Sequence, residues 1–116
     1  MPKSKAQVLA LHAAVVTHFD HEYGRNESRL VSWQRLCRNV SVEEGTSITQ
    51  CKKKLRGTFI NIVDFVQARN NGTAVRAFAS AGELSRYMKS AGREKFFPLA
   101  KAEENPILRW MLIHVR

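Results

Sequence analysis

The residues of this sequence that could do chemistry are a run of positive charges, and the chemistry they favour is binding to an anion. Four basic side chains lie close together with no acid among them: Lys52, Lys53, Lys54 and Arg56. At 100° per residue, Lys53 points away from the apolar positions of its segment, and Lys52 and Arg56 flank that side. Several of them can therefore reach one phosphate backbone, in binding that is sequence-tolerant and salt-dependent. The alternative is a solvated helix face that only keeps a basic protein soluble.

Further basic residues could extend this cluster, namely Arg35 and Arg38 before it and the pair Arg93 and Lys95 after it. The chain has 116 residues, and 19 Lys plus Arg against 10 Asp plus Glu give a net charge of +9. Such an excess favours an anionic partner such as nucleic acid, phospholipid headgroups or an acidic protein.

The positive charge is unevenly distributed along the chain. Residues 25–56 hold eight basic and three acidic side chains, and residues 86–116 hold seven and three, so these stretches carry +5 and +4. Residues 1–24 and 57–85 are neutral. The sequence thus predicts where an anion would bind more sharply than it predicts which anion.

Metal binding finds little support in the sequence. His18 and His21 are neighbours on a predicted helix, with Asp20 and Glu22 beside them. A stable zinc site usually needs three or four ligands in fixed geometry, and no Cys-rich or H-E-x-x-H pattern completes one. We expect surface polar residues here and no metal or other cofactor.

Catalysis and secretion are equally poorly supported. Cys37 and Cys51 lack C-x-x-C spacing and are expected to be reduced core residues. No phosphate loop, nucleophile elbow or Rossmann glycine set occurs, so we expect no enzyme.

The first apolar stretch is interrupted by His12 and His18 and shows no clear signal-peptide cleavage site, so we expect an intracellular protein.

The elements that must position these residues are helices. Apolar residues from Ile48 to Val66 recur every three or four positions, which predicts a long central helix over about 46–69, with a kink or break possible at Gly57. We predict an all-α, compact single-domain bundle, residues 1–116, of about five helices. It has at most one short extended segment, 73–79, and a flexible basic N-terminus, 1–5.

A helix-turn-helix is disfavoured, because the connection from Asn39 to Gly45 exceeds the usual three or four residues. A divergent winged arrangement, with residues 73–79 as a rudimentary wing, stays open.

The last helix offers a second function. Asn105 and Pro106 are typical of a helix start, and the following segment is apolar on several sides. If it is not fully covered, Trp110 and Met111 would form a dimer or partner surface. The alternative is burial against the central helix.

Several motifs, taken in order, resemble a family of small uncharacterised fungal helical proteins. The matching stretches cover most of the chain from about Val15 onward: Ser32–Cys37 (SWQRLC), Asn61–Val66 (NIVDFV), Val75–Phe78 with Ser80, Leu84 and Tyr87, Phe97-Pro98, and Leu108–Val115. The resemblance implies a non-enzymatic intracellular protein, with the nucleus as a candidate compartment. It supplies no functional residue, and the run Lys52 to Lys54 departs from the family's pattern, so the resemblance does not support the predicted anion site.

Overall fold

Helices make up the regular structure of residues 3–115, the part of the chain that the computed structural model describes. The predicted all-α single-domain class is confirmed, with six α-helices and two 3-10 turns, Arg93–Lys95 and Leu99–Ala102, in this range. The α-helices are α1 (Lys5–Glu22), α2 (Leu30–Asn39), α3 (Ile48–Arg56), α4 (Ile62–Asn71), α5 (Ala81–Ala91) and α6 (Pro106–His114).

A capped helix start lies within the segment 1–5 that was predicted to be a flexible N-terminus. The Ser4 hydroxyl accepts a hydrogen bond from the backbone N–H of Gln7, and the Gln7 side chain accepts one from the N–H of Ser4. These reciprocal bonds satisfy amides that the first turn leaves without helical partners. Helix α1 therefore begins at Lys5; residues 1–2 of the predicted flexible segment lie outside the described range.

The single central helix predicted over 46–69 is wrong, because two helices occupy that stretch. Helix α3 ends at Arg56 with Gly57 as its C-cap, and α4 begins after Asn61, whose side-chain oxygen accepts a hydrogen bond from the backbone N–H of Asp64. This N-cap starts a new helix at the break that glycine permits. The apolar stripe is buried on both sides of the break, at Cys51 and Leu55 and again at Ile62 and Val66, so its spacing marked the core but not the continuity of the helix.

Backbone hydrogen bonds tie the connection between α3 and α4 to distant parts of the chain. Phe59 and Phe78 form a single antiparallel bridge, with the N–H of Phe78 donating to the carbonyl of Phe59 at 2.8 Å. The N–H of Ile60 donates to the carbonyl of Val115. Within the segment 73–79 that was predicted to be extended, Phe78 forms this one isolated bridge, so in the described range the segment forms no wing-like sheet.

The core lies where α1 packs on α4, α2 packs on α3, and α6 closes the bundle against α1. Its largest side chains with no more than 1% exposure are Trp33, Phe19, Phe65, Leu36 and Leu55. Because α2 and α3 share this core, packing against α2 fixes which side of α3 is exposed.

Candidate nucleic-acid interface

The flank of α3 that carries Lys52 and Arg56 meets an aromatic pair. The Lys52 ammonium lies 5.0 Å from the ring centre of Trp33 and 5.7 Å from that of Trp110. The Arg56 guanidinium lies 5.6 Å from the Trp110 ring centre. Their spacing of four residues places both cations on the same side of the helix, so both can make a cation–π contact with the Trp110 ring.

The two tryptophans are fixed by the core beneath them. Trp33 is fully buried, and its indole N–H donates to the carbonyl of Glu27 at 2.8 Å. Trp110 is partly buried and packs edge-to-face on Trp33, with ring centres 5.2 Å apart at 85°. The His114 ring covers Trp110 further, at 4.7 Å. Lys52 and Arg56 therefore lie over aromatic rings that the core packs in place.

Three of these cations keep their full charge available. Lys53 is exposed and points away from the core positions Cys51 and Leu55. Among residues 3–115, no carboxylate oxygen lies within 4 Å of Lys52, Lys53 or Arg56. We name Lys52, Lys53, Arg56 and Trp110 the basic-aromatic patch.

Lys54, also predicted for this cluster, belongs to the opposite flank of α3. Its ammonium lies 3.6 Å from the carboxylate of Glu43, in a loop that packs closely on the start of α3. Gly45 makes that approach possible, because a Cβ there would lie 2.5 Å from the Cβ of Gln50. The loop thus sets an acidic edge beside Lys54, and Lys53 lines the same groove as Glu43 and Glu44.

The predicted auxiliary arginines of α2 are directed to other partners. Arg38 forms an ion pair with Glu44, in the same acidic loop. Arg35 donates to the backbone carbonyl of Glu22, at the end of α1, at 3.1 Å. Neither side chain contacts the basic-aromatic patch, so residues that are close in sequence are divided among separate sites.

Lys95 is a correction to the predicted site, because it serves an internal ion pair. Its ammonium forms an ion pair with the carboxylate of Asp64. The same carboxylate accepts a hydrogen bond from the hydroxyl of Tyr87. The Lys95 side chain is only 15% exposed, and Asn61 donates to its backbone carbonyl at 2.8 Å. Arg93 is exposed on the same 3-10 turn. This Asp64 cluster (Asp64, Tyr87 and Lys95) is therefore structural, and its carboxylate cancels the lysine charge locally.

Two pKa shifts reflect the balance of forces in the Asp64 cluster. Burial lowers the pKa of Lys95, but the hydrogen bond and charge of Asp64 outweigh it and leave that pKa raised. Burial and the neighbouring Asp64 carboxylate both raise the pKa of the Tyr87 hydroxyl. Both groups are held in their protonated forms, as the contacts require.

Met111 is the second correction, because it is fully buried in the core. The side chains of Ile107, Leu108 and Leu112 are buried with it, so α6 uses most of its apolar surface inside the bundle. Ile113, at 48% exposure, is the one large apolar side chain of α6 that is exposed. The predicted partner surface is thereby reduced to Ile113 and the uncovered part of Trp110.

The cysteines are buried and free, as expected from their spacing. Burial, followed by the proximity of Cys51, raises the pKa of the Cys37 thiol to about 12. A thiol with that pKa is almost entirely protonated at neutral pH and therefore a poor nucleophile. Nothing in this pair resembles an activated catalytic cysteine.

The histidines predicted as surface residues lie in unlike surroundings. His21 is exposed, while His18 is half-buried and packs against the rings of Phe19, Tyr23 and Phe65. Burial lowers the pKa of His18. Within residues 3–115, no three His, Cys, Asp or Glu side chains come together as a metal site would need, and no helix has the length and apolar character to cross a membrane.

Helical geometry placed Lys52 and Arg56 on one flank of α3 but gave no sign of the aromatic rings beneath them. The i, i+4 spacing of Lys52 and Arg56 placed them on one side, whereas nothing local indicated that α6 would bring Trp110 and His114 beneath them.

Comparison of the chain with protein-family models, with curated proteins and with solved structures gave no match.

Proposed function

We propose that the protein is a non-enzymatic helical module that binds nucleic acid through the basic-aromatic patch. One observation carries this proposal: Lys52 and Arg56 share the Trp110 ring, and no carboxylate of residues 3–115 lies within 4 Å of either. Cation–π contacts hold these charges in place without cancelling them, unlike an ion pair.

Fixed cations favour binding because less side-chain entropy is lost when an anion arrives. Each mobile lysine or arginine that becomes ordered in a complex costs about 0.5–1.5 kcal/mol. The Trp110 ring already limits the motion of Lys52 and Arg56 in the free protein. Lys53, on the outermost side of α3, adds a third charge within reach of the same backbone.

The contacts favour recognition of phosphates rather than bases. Stacking of bases requires an open aromatic face, and Trp110 is already contacted by Lys52, Arg56 and His114. A duplex backbone, with closely spaced phosphates, suits a compact trio of cations on one helix. We therefore propose sequence-tolerant binding to duplex, in an intracellular compartment with the nucleus as the candidate.

The test is a titration of labelled duplex DNA, single-stranded DNA and RNA at several salt concentrations. The unmodified protein should bind duplex at low salt, with log K falling against log salt with a slope of about −2.7 for three phosphate contacts. Replacing Lys52, Lys53 and Arg56 together by Gln should remove this binding and leave the circular dichroism spectrum unchanged. No binding at low salt, or an affinity that ignores salt, would refute the proposal.

The alternative is a dimerisation or partner-binding module that uses α6. Ile113, exposed beside Trp110, is the observation in its favour, in a groove shared with Pro106 and Arg109. Sedimentation of the unmodified protein and of Trp110→Ala over a range of concentrations distinguishes the two functions. A concentration-dependent mass that Trp110→Ala abolishes would support the dimer.

A further inference from the structure

A second site lies away from the basic-aromatic patch, in a groove between residues 73–79 and α5. Its volume is about 560 Å³, within the range of small-molecule sites. Its lining is Arg76, Phe78, Glu83, Arg86, Tyr87 and Ser90. The groove therefore combines two guanidinium groups with two aromatic rings and two oxygen acceptors.

The aromatic wall of this groove is held from behind. Phe78 is tied to Phe59 by the backbone hydrogen bond of the isolated bridge, and the Tyr87 hydroxyl is held by Asp64. The two rings lie 5.0 Å apart. The wall is thus built into the fold and does not depend on a ligand for its shape.

Arg76 rests on this wall with its charge uncompensated. Its guanidinium lies 4.5 Å from the ring centre of Phe78 and 5.8 Å from that of Tyr87. In the described range, no carboxylate oxygen lies within 4 Å of Arg76 or of Arg86, the second arginine of the groove. Two guanidinium groups facing one groove favour an anion with several oxygens, above all a phosphate.

The remaining polar groups of the groove are acceptors. One oxygen of Glu83 accepts the backbone N–H of Ala79, which leaves the other oxygen available. The Ser90 hydroxyl donates its proton to the carbonyl of Tyr87, so its oxygen is left to accept. A bare phosphate has no use for these acceptors, whereas a ligand that also carries hydroxyl groups does.

We propose that this groove binds a nucleoside monophosphate. Arg76 and Arg86 hold the phosphate, and Glu83 and Ser90 accept hydrogen bonds from the ribose hydroxyls. A carboxylate inside the groove disfavours a continuous phosphate backbone, which would pass close to Glu83. The site is therefore proposed for a small ligand and does not rest on the nucleic-acid function of the patch.

Isothermal titration of the full chain with AMP, and separately with inorganic phosphate, tests this assignment. We expect saturable AMP binding at least tenfold tighter than phosphate binding, and a roughly tenfold loss in Arg86→Gln from the removal of a charged hydrogen-bond donor. Arg76→Gln should weaken AMP binding similarly, while Arg69→Gln, an exposed arginine outside the groove, should leave it unchanged.

Urea unfolding shows whether each variant still folds. If Arg76→Gln does not fold, the AMP affinity of Arg86→Gln alone tests the proposal. The variant with Lys52, Lys53 and Arg56 replaced by Gln should bind AMP normally, so failure of the patch leaves this site standing. Absence of AMP binding, equal affinity for inorganic phosphate, or unchanged affinity in Arg86→Gln would overturn the proposal.

Discussion

The basic-aromatic patch and the Asp64 cluster use the same kind of cation in opposite ways. In the patch, Lys52 lies over indole rings, and no carboxylate of residues 3–115 is within 4 Å of it. In the cluster, Lys95 is mostly buried against the carboxylate of Asp64. Both contacts hold a lysine in place, but only the ion pair removes its charge from the surface field.

The difference teaches that net charge is a poor guide to a binding surface. The value of +9 counts Lys95, Arg38 and Lys54 equally with Lys52, although the first three have carboxylates within 4 Å. What distinguishes a binding cation is a fixed position without a neutralising partner. The predictions that follow separate the two regions by that property.

The largest effect is expected where the charge is buried. Asp64→Asn leaves Lys95 without its counter-charge and weakens the bond to Tyr87, so we expect a loss of about 2–3 kcal/mol in the free energy of unfolding. Urea unfolding at pH 7 measures it. A loss below about 0.5 kcal/mol, the size typical of an exposed ion pair, would show that the Asp64 cluster does not stabilise the fold as a largely buried ion pair does.

The next largest effect on the free energy of unfolding is expected at alkaline pH, where Tyr23, Tyr87 and Lys95 lose their protons. Burial raises the pKa of Tyr23 to about 12, and the pKa values of Tyr87 and Lys95 are also raised. Above about pH 10 the unfolded chain releases these protons more readily than the folded one, so the free energy of unfolding falls as pH rises. Urea midpoints from pH 8.5 to 11 should show a decline that is smaller in Asp64→Asn; parallel declines would contradict this assignment.

A smaller effect is expected at the base of the patch. Trp110→Leu keeps an apolar side chain but removes the contacts with Lys52, Arg56 and Trp33, so the free energy of unfolding should fall by about 1–2 kcal/mol. Duplex affinity should fall a few-fold, because the cations regain their mobility. Ile113→Leu, beside it on α6, serves as the control, and equal affinity in both variants would argue against the supporting role of Trp110.

The smallest effect is expected at the exposed pair on the other flank of α3. Glu43→Gln frees Lys54, but both side chains are well exposed, so stability should change by less than about 0.5 kcal/mol. Duplex affinity should rise slightly because one more lysine loses its partner. A fall in affinity would contradict the assignment of Lys54 to the acidic edge.

Local spacing was enough to predict the class of the fold and the start of its last helix. Asn105 accepts backbone hydrogen bonds at the start of α6, as its residue type indicates. The break after Gly57 was harder to predict, because periodicity continues through 57–61. It is set by distant partners, namely Phe78 and Val115, whose backbones pair with this stretch.

The candidate site was predictable only in part, for the same reason. The flank of α3 follows from helical geometry, which is local, and Lys52 and Arg56 lie together as that geometry requires. The roles of Trp110 and Lys95 depend on contacts across more than 30 residues of sequence. A single sequence shows that a charge is present, but tertiary packing decides whether that charge is cancelled.

The most direct test compares two variants of equal net charge. In one, Lys52, Lys53 and Arg56 become Gln; in the other, Arg35, Arg38 and Arg93 become Gln, so each falls from +9 to +6. The salt dependence of duplex binding should lose about 2.7 units of slope in the first variant and keep its slope in the second. Equal losses in both variants would mean that total charge, and not the basic-aromatic patch, binds the nucleic acid.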